Sequence, residues 1–184
     1  MTPLSDLAGI KHFLRRGGVI AYVTESCFGL GCDPTNRRAV RRILRLKHRP
    51  QGKGLILIGS DVSQFRRFLA PLSDVLSARF PEWWPGPTSL LLPRSRHCPR
   101  WLTGRHEKLA VRVTAHPDAM RLCRALRMAL VSTSANRSGQ RPARTYAQCQ
   151  RLFGSKVWVL PGRVGQRKRP SSIYAWGDDK IIRN

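Results

Sequence analysis

Lys47-His48-Arg49-Pro50-Gln51-Gly52-Lys53-Gly54-Leu55-Ile56-Leu57-Ile58 is the stretch from which both a fold and a site can be read. Upstream, Val40, Ile43, Leu44 and Lys47 recur at helical spacing, with Ala39 and Leu46 widening the apolar stripe, so a helix runs into the first cation. Downstream, Leu55 to Ile58 is an unbroken apolar run of strand length, the pattern of a strand covered on both faces. Pro50 cannot continue the helix, and Gly52 and Gly54 free the backbone to turn closely around a ligand. Three cations on this short connection suit an anion, although Lys and Arg near a helix C-terminus also complement its dipole with no ligand at all.

The same alternation extends outward. Leu4, Leu7, Lys11 and Leu14 predict a first helix that stops at Gly17-Gly18, followed by a buried strand over Val19 to Val23. Thr24 to Asp33 brings hydroxyls and glycines to that strand's carboxyl edge, where α/β sheets bind ligands. Within it Gly29-Leu30-Gly31 lacks the third glycine of a dinucleotide fingerprint and reads equally well as a plain turn. Asp33 before Pro34 resembles an N-cap opening the helix to Lys47. Asp61 is placed to cap a helix carrying Phe65, Phe68 and Leu69, and a second short helix through Leu72, Val75, Leu76 and Phe80 follows. Paired Trp83 and Trp84, in a proline-stiffened loop, suit packing better than base stacking.

Ser89 to Leu92 predicts a strand, and the basic segment Pro93 to Lys108 a surface loop suited to mobility or RNA contact. Arg112 interrupts the strand Leu109 to Val113; buried without a partner it would cost several kcal/mol, so it faces either solvent or a bound anion. Pro117 and Asp118 open a helix that feeds the strand Ala129 to Thr133, and Ser134-Ala135-Asn136 follows directly. Hydroxyls and an amide at a strand end suit phosphate oxygens or a carboxylate, or else close a local turn. Thr145 caps a last helix, Lys156 to Leu160 predicts a strand, Arg163 to Pro170 a basic loop, and residues 171–176 with 180–183 a closing hairpin. Interleaved helices and hairpins together predict an α/β fold: a twisted mixed sheet with flanking helices, in one domain over 1–184.

The formal charge of +24 predicts attraction to polyanions that weakens as salt rises, without showing specificity. No apolar run approaches the roughly 20 residues that cross a bilayer, and the N-terminus lacks a signal-peptide plan, so the expectation is a cytoplasmic protein with no membrane partner. Five cysteines, an odd number without a C-x-x-C pair, argue against a disulfide framework, and His97-Cys98 with His106 fits no zinc spacing. No hydrolase triad, Walker lysine loop or H-E-x-x-H is present. Acid–base chemistry is thinly provided, whereas the cations and donors that phosphoryl or nucleotidyl transfer needs are abundant.

In order and spacing, Thr24-Glu25-Ser26-x-Phe28-Gly29-Leu30-Gly31-Cys32-Asp33, Lys47-x-Arg49-Pro50, Trp84-Pro85-Gly86-Pro87, Val111-Arg112-Val113 and Ser134-Ala135-Asn136-x-Ser138-Gly139 resemble the YrdC/TsaC family of threonylcarbamoyl-AMP synthases, from about residue 8 to 176. Val23, Ser26, Phe28 and Gly54 depart from that family's usual proline, threonine, tyrosine and proline. The resemblance implies a YrdC-like fold with a concave basic face, and a nucleotidyltransferase that condenses ATP, L-threonine and bicarbonate, with Mg2+, to threonylcarbamoyl-AMP and pyrophosphate. It implies that partner threonylcarbamoyl-transfer proteins use the product to make N6-threonylcarbamoyladenosine in tRNA. It assigns Lys47 and Arg49 to catalysis, these two with Lys53, Ser89, Ser134 and Asn136 to ATP, and Thr24, Arg112, Ser132 and Ser171 to threonine, with no protein metal ligand. The competing expectation is a non-enzymatic protein that docks tRNA or double-stranded RNA on the basic face.

Overall fold

A computed structural model describes residues 6–176 and 180–183; Leu4 of the expected first helix and the turn of the closing hairpin lie outside them. Helix α1, Leu7–Arg15, is capped by Asp6, whose carboxylate accepts from the Gly9 N–H, and it buries Ile10 and Leu14. Strand β1, Ile20–Val23, is buried throughout. Phe28–Gly31, in the segment whose Gly29-Leu30-Gly31 reads as a weak ligand motif or equally as a plain turn, is a second buried strand, β2, paired antiparallel with β1. Its glycines make room for Tyr22: a Cβ on Gly31 would lie 2.7 Å from the Tyr22 ring and 2.9 Å from the Val131 carbonyl.

Helix α2, Arg37–Lys47, starts at Asn36, whose side chain accepts from the Ala39 N–H. Asp33 is not the cap, because its carboxylate closes a local turn by accepting from the Thr35 N–H and hydroxyl. The helix buries Ala39, Val40, Ile43, Leu44 and Lys47 and ends on left-handed His48. A 3-10 turn over 51–53 and Gly54, at φ 62°, then redirect the chain into β3, Ile56–Gly59. Asp61 caps a single 3-10 turn and not the expected helix; Phe65 and Phe68 enter the core from it and the residues that follow.

Helix α3, Asp74–Ala78, buries Leu76 and leaves Val75 exposed. Trp84 is buried against Phe80 and donates its indole N–H to the Thr88 carbonyl at 2.7 Å, while Trp83 stacks on Tyr174. After β4, Thr88–Pro93, the segment expected as a surface loop contains helix α4, Arg100–Thr103, because Cys98 and Leu102 pack into the core. Strand β5, Lys108–Val113, helix α5, Pro117–Leu126, and strand β6, Leu130–Ser134, follow. Helix α6, Tyr146–Phe153, opens with a reciprocal capping box between Thr145 and Gln148. Strand β7 is shorter than expected, Trp158–Val159, and β8, Ser172–Ala175, pairs antiparallel with β9, Lys180–Arg183.

The strands form one mixed sheet in the order β7-β1-β2-β6-β3-β5-β4-β8-β9. Helices α1 and α5 cover one face through Ile10, Leu14, Leu122 and Leu126 packed with Ile20, Tyr22, Ile58 and Leu130. The other face takes Val40 and Ile43 of α2, Cys149 and Phe153 of α6, Phe65 and Trp84. Each such fully buried aliphatic or aromatic side chain contributes about 1.5–3 kcal/mol, enough to hold loop-borne polar groups in fixed positions at the strand ends. The five cysteines are free and buried, and no helix among the described residues is long and apolar enough to cross a membrane.

Candidate functional site

A cleft of about 650 Å3 opens where the β1–β2 connection, Arg49 in the segment after α2, the start of β3, β5, β6 and the segment leading into β8 meet. Thr24, Ser26, Arg49, Arg112, Ser132, Ser134, Asn136 and Ser171 all line it. Residues spread from the end of β1 to the start of β8 therefore share one cavity. The sheet explains this: β6 lies between β2 and β3, and β3 pairs with β5 on one side, Ile58 opposite Arg112, and with β6 on the other, Ile56 opposite Ser132.

Thr24 is buried, and its hydroxyl donates to the Cys27 carbonyl at 2.7 Å, closing the tight β1–β2 connection. Arg112, buried on β5, has a resident partner that composition did not single out: its Nη2 lies 3.2 Å from Oε2 of Glu25. The other Glu25 oxygen accepts from the Thr114 hydroxyl at 2.8 Å and the Ala115 N–H at 3.1 Å. Burial pushes the Glu25 carboxyl up, but the Arg112 guanidinium and these donors outweigh it and hold the group below the usual carboxylate range. Arg112 therefore neither faces solvent nor waits unpaired; it is oriented from behind by Glu25, while its buried Nε retains an unsatisfied donor beside the cleft.

Lys47 does not reach the cleft surface. Its ammonium donates to the Ser134 carbonyl, and to the Asn136 carbonyl and Oδ1, each at 2.9 Å. Asn136 Oδ1 also accepts from the Ser134 hydroxyl at 2.6 Å, and its Nδ2 donates to the Gln140 carbonyl at 2.6 Å. The Ser134-Ala135-Asn136 turn is thus folded around a lysine head whose three donors are all in use. Burial, helped by the nearby Arg49 charge, pushes the Lys47 ammonium down to about 8.

Arg49 does line the cleft; its Nη2 donates to the Gly54 carbonyl at 3.0 Å, and burial lowers its acidity range as well. The two remaining expected ATP ligands stand elsewhere. Lys53 is exposed on the 3-10 turn, away from the cleft lining, because that turn rotates it outward while Arg49 folds back onto Gly54. Ser89 is completely buried beneath the site and donates its hydroxyl to Ser171 Oγ at 3.1 Å, so it positions Ser171 without lining the cavity. The lining also includes Cys27, Arg141, Arg144, Gln148 and Lys168, none of which the motifs single out.

Residues 12–184 match the family model of the Sua5, YciO and YrdC proteins, described as "Telomere recombination". The chain belongs to the Sua5/YciO/YrdC family. Within it, the chain is 58% identical over 174 residues to a protein of Methylobacillus flagellatus named threonylcarbamoyl-AMP synthase, covering 95% of this chain and 97% of the relative. A protein of the same name from Thiobacillus denitrificans is 53% identical over 175 residues, covering 95% and 93%. The crystal structure of P. abyssi Sua5 complexed with L-threonine superposes with a TM-score of 0.84 at 28% identity. That match covers 91% of this chain and 51% of the longer Sua5, so the present chain spans about half of that protein.

Proposed function

We infer that this member of the family is a threonylcarbamoyl-AMP synthase, which condenses ATP, L-threonine and bicarbonate to L-threonylcarbamoyladenylate and pyrophosphate for tRNA modification. The observation that carries this reading is the single cleft in which an oriented arginine, several hydroxyls and a lysine-braced Ser-Ala-Asn turn converge, in a chain more than half identical to synthases of that name over nearly its whole length.

The cleft divides by chemistry. Arg112, with Thr24, Ser132 and Ser171 around it, suits the carboxylate and hydroxyl of a small amino acid, since an arginine fork matches a carboxylate and Glu25 already fixes the guanidinium. Arg49, Ser134 and Asn136 suit nucleotide phosphates, with Lys47 supplying positive charge through the turn it supports. Lys53 and Ser89 are left out of the contact set. Threonine's amine takes up bicarbonate-derived CO2 as a carbamate, and a carbamate oxygen attacks the α-phosphorus as pyrophosphate leaves. The protein's share of the rate comes from holding the two reactants in line and stabilising negative charge.

The donor set suits Mg2+ that arrives on the ATP. The cleft lining contains hydroxyls and amides but no carboxylate, Glu25 is committed to Arg112, and no cluster of three potential metal ligands occurs among the described residues. When bound, the ion would neutralise phosphate charge, and the Ser134 hydroxyl oxygen, which still has acceptor capacity, would meet its water shell.

Measurement of pyrophosphate release with ATP, threonine and bicarbonate, each omitted in turn, tests the reading: release is expected with all three present and lost when any is left out. A non-enzymatic RNA-binding protein would give no release in any mixture, and a carbamoyl transferase acting on another amino acid would turn over without threonine selectivity.

A further inference from the structure

Between β7 and β8 the chain passes through residues 161–170, a strap without regular secondary structure that delivers Pro170 and then Ser171 to the cleft wall. No ladder or helix fixes it, so a few discrete bonds decide where it lies. The Gly165 N–H donates to the Thr24 carbonyl and the Arg167 N–H to the Glu25 carbonyl, each at 3.0 Å. The approach is close: a Cβ on Gly165 would lie 2.7 Å from the Glu25 carbonyl oxygen. A third anchor is a side chain that no role above uses. His116, buried just beyond β5, places its Nε2 3.0 Å from the Arg163 carbonyl oxygen. A carbonyl only accepts, so the imidazole carries a proton on Nε2 and donates it. Its buried Nδ1 has no hydrogen-bond partner among the described residues, a cost that an apolar core side chain would avoid. The bond to Arg163 is what sets this histidine apart from packing.

The same histidine is tied to the arginine of the site. Its N–H donates to Thr114 Oγ1 at 3.2 Å and its carbonyl accepts from the Met120 N–H at 2.9 Å, so its backbone is fixed on both sides. The Thr114 hydroxyl donates onward to Glu25, which orients Arg112. Arg112 and the strap are therefore two ends of one run of contacts. We propose that His116 is a positioning residue for the amino-acid half of the reaction, pinning the strap at Arg163 so that Ser171 and Arg112 face the same ligand. The proposal rests on the threonylcarbamoyl-adenylate reading and adds to it a residue outside the cleft lining. The far end of the strap is held separately, by the Ser89 hydroxyl on Ser171 Oγ, so releasing Arg163 loosens the wall without detaching it. The phosphate half is anchored elsewhere, through Lys47 beneath Ser134 and Asn136 and through Arg49 on the Gly54 carbonyl. Loss of the pin should therefore be felt by threonine and not by ATP.

The test combines steady-state pyrophosphate release with amide hydrogen exchange on the full chain, for wild type, His116→Ala and His116→Gln, whose amide N–H can stand in for Nε2–H. In His116→Ala the KM for L-threonine should rise by about tenfold or more while the KM for ATP stays within about threefold. The Gly165 and Arg167 amides should exchange about tenfold faster or more, with α2 and β3 exchanging as in wild type. His116→Gln should restore both readouts to within about threefold of wild type. Wild-type threonine KM and strap exchange in His116→Ala, a parallel rise in both KM values, or a Gln variant as impaired as Ala would each overturn the proposal. Where His116→Ala does not fold, Gly165→Ala decides, because its methyl pushes the strap off the Glu25 carbonyl and leaves the imidazole in place. A rise in threonine KM alone is expected there, and an unchanged one would overturn the proposal. Failure of the adenylation reading shows separately, as absence of threonine-dependent pyrophosphate release by the wild type, whereas the exchange readout does not depend on turnover.

Discussion

Replacing Lys47 by Met separates what this buried cation does for the fold from what it does for the site. The substitution keeps the stem that packs in α2 and deletes three donors. Two acceptors, the Ser134 and Asn136 carbonyls, lose a donor each, at about 1–2 kcal/mol per group, whereas Asn136 Oδ1 still accepts from the Ser134 hydroxyl. Against this, a lysine pushed down to about 8 is held protonated at neutral pH at a cost of about 2–3 kcal/mol after allowing for screening at the edge of a solvated cleft. The two effects nearly cancel, so Lys47→Met should change stability by no more than about 1 kcal/mol, or about 2–4 °C in Tm for a chain of this size. Activity should behave differently. With the charge and the brace behind Asn136 gone, kcat/KM for ATP should fall by about 100-fold or more, equivalent to about 2.7 kcal/mol of lost transition-state stabilisation. Thermal melts and pyrophosphate release on the same preparation check both halves. A variant that unfolds, or a folded one with near-normal turnover, would refute the reasoning.

Three further outcomes follow from the same geometry. Lys47 in the free enzyme loses its proton as pH rises through about 8, so kcat/KM for ATP should fall there, while stability moves the opposite way. Between about 8 and the ordinary lysine range the unfolded chain binds more protons than the folded one, so the cost of burying this charge is relieved as pH rises; a pH series on wild type and Lys47→Met reads both effects. Glu25→Gln leaves the Arg112 charge buried without its counter-ion and should cost about 3 kcal/mol at neutral pH. Because the folded Glu25 carboxyl sits below its usual range, its contribution is present above that range and fades as pH falls through the folded value, so wild-type and variant stabilities measured by denaturant should converge in acid. Gly31→Ala forces a methyl against the Tyr22 ring and the Val131 carbonyl and should destabilise by about 1–3 kcal/mol, read as a lower Tm.

The elements that carry the site were legible because each has a plain hydrophobic signature: the 3.6-residue stripe of α2 and the apolar runs of β1, β3 and β6. Strand β2 was hidden because Gly29 and Gly31 look like turn residues, although their small size serves Tyr22 on the neighbouring strand. Helix α4 was hidden in a basic segment whose few apolar residues, Cys98 and Leu102, are too sparse to show a period yet both reach the core. The cap was misplaced because Asp33 and Asn36 are both competent acceptors, and a local turn with Thr35 captures the first.

Of the expected site residues, Thr24, Arg49, Arg112, Ser132, Ser134, Asn136 and Ser171 are brought by the fold into one cleft. Direction was not legible. Lys47 points under the Ser-Ala-Asn turn from the buried face of α2, and whether Lys53 or Arg49 folds inward depends on how the 3-10 turn over 51–53 rotates the chain. Glu25 escaped notice because its meaning depends on Arg112 of β5 and Thr114 just after it, far along the chain.

The central claim is that one cleft seats both the triphosphate and the amino acid. A crystal structure of this chain with a non-hydrolysable ATP analogue and L-threonine tests it most directly. The account predicts the threonine carboxylate on Arg112 and the phosphates beside Arg49 and Asn136, with the amine facing the α-phosphorus; the two ligands in separate cavities, or threonine away from Arg112, would contradict it.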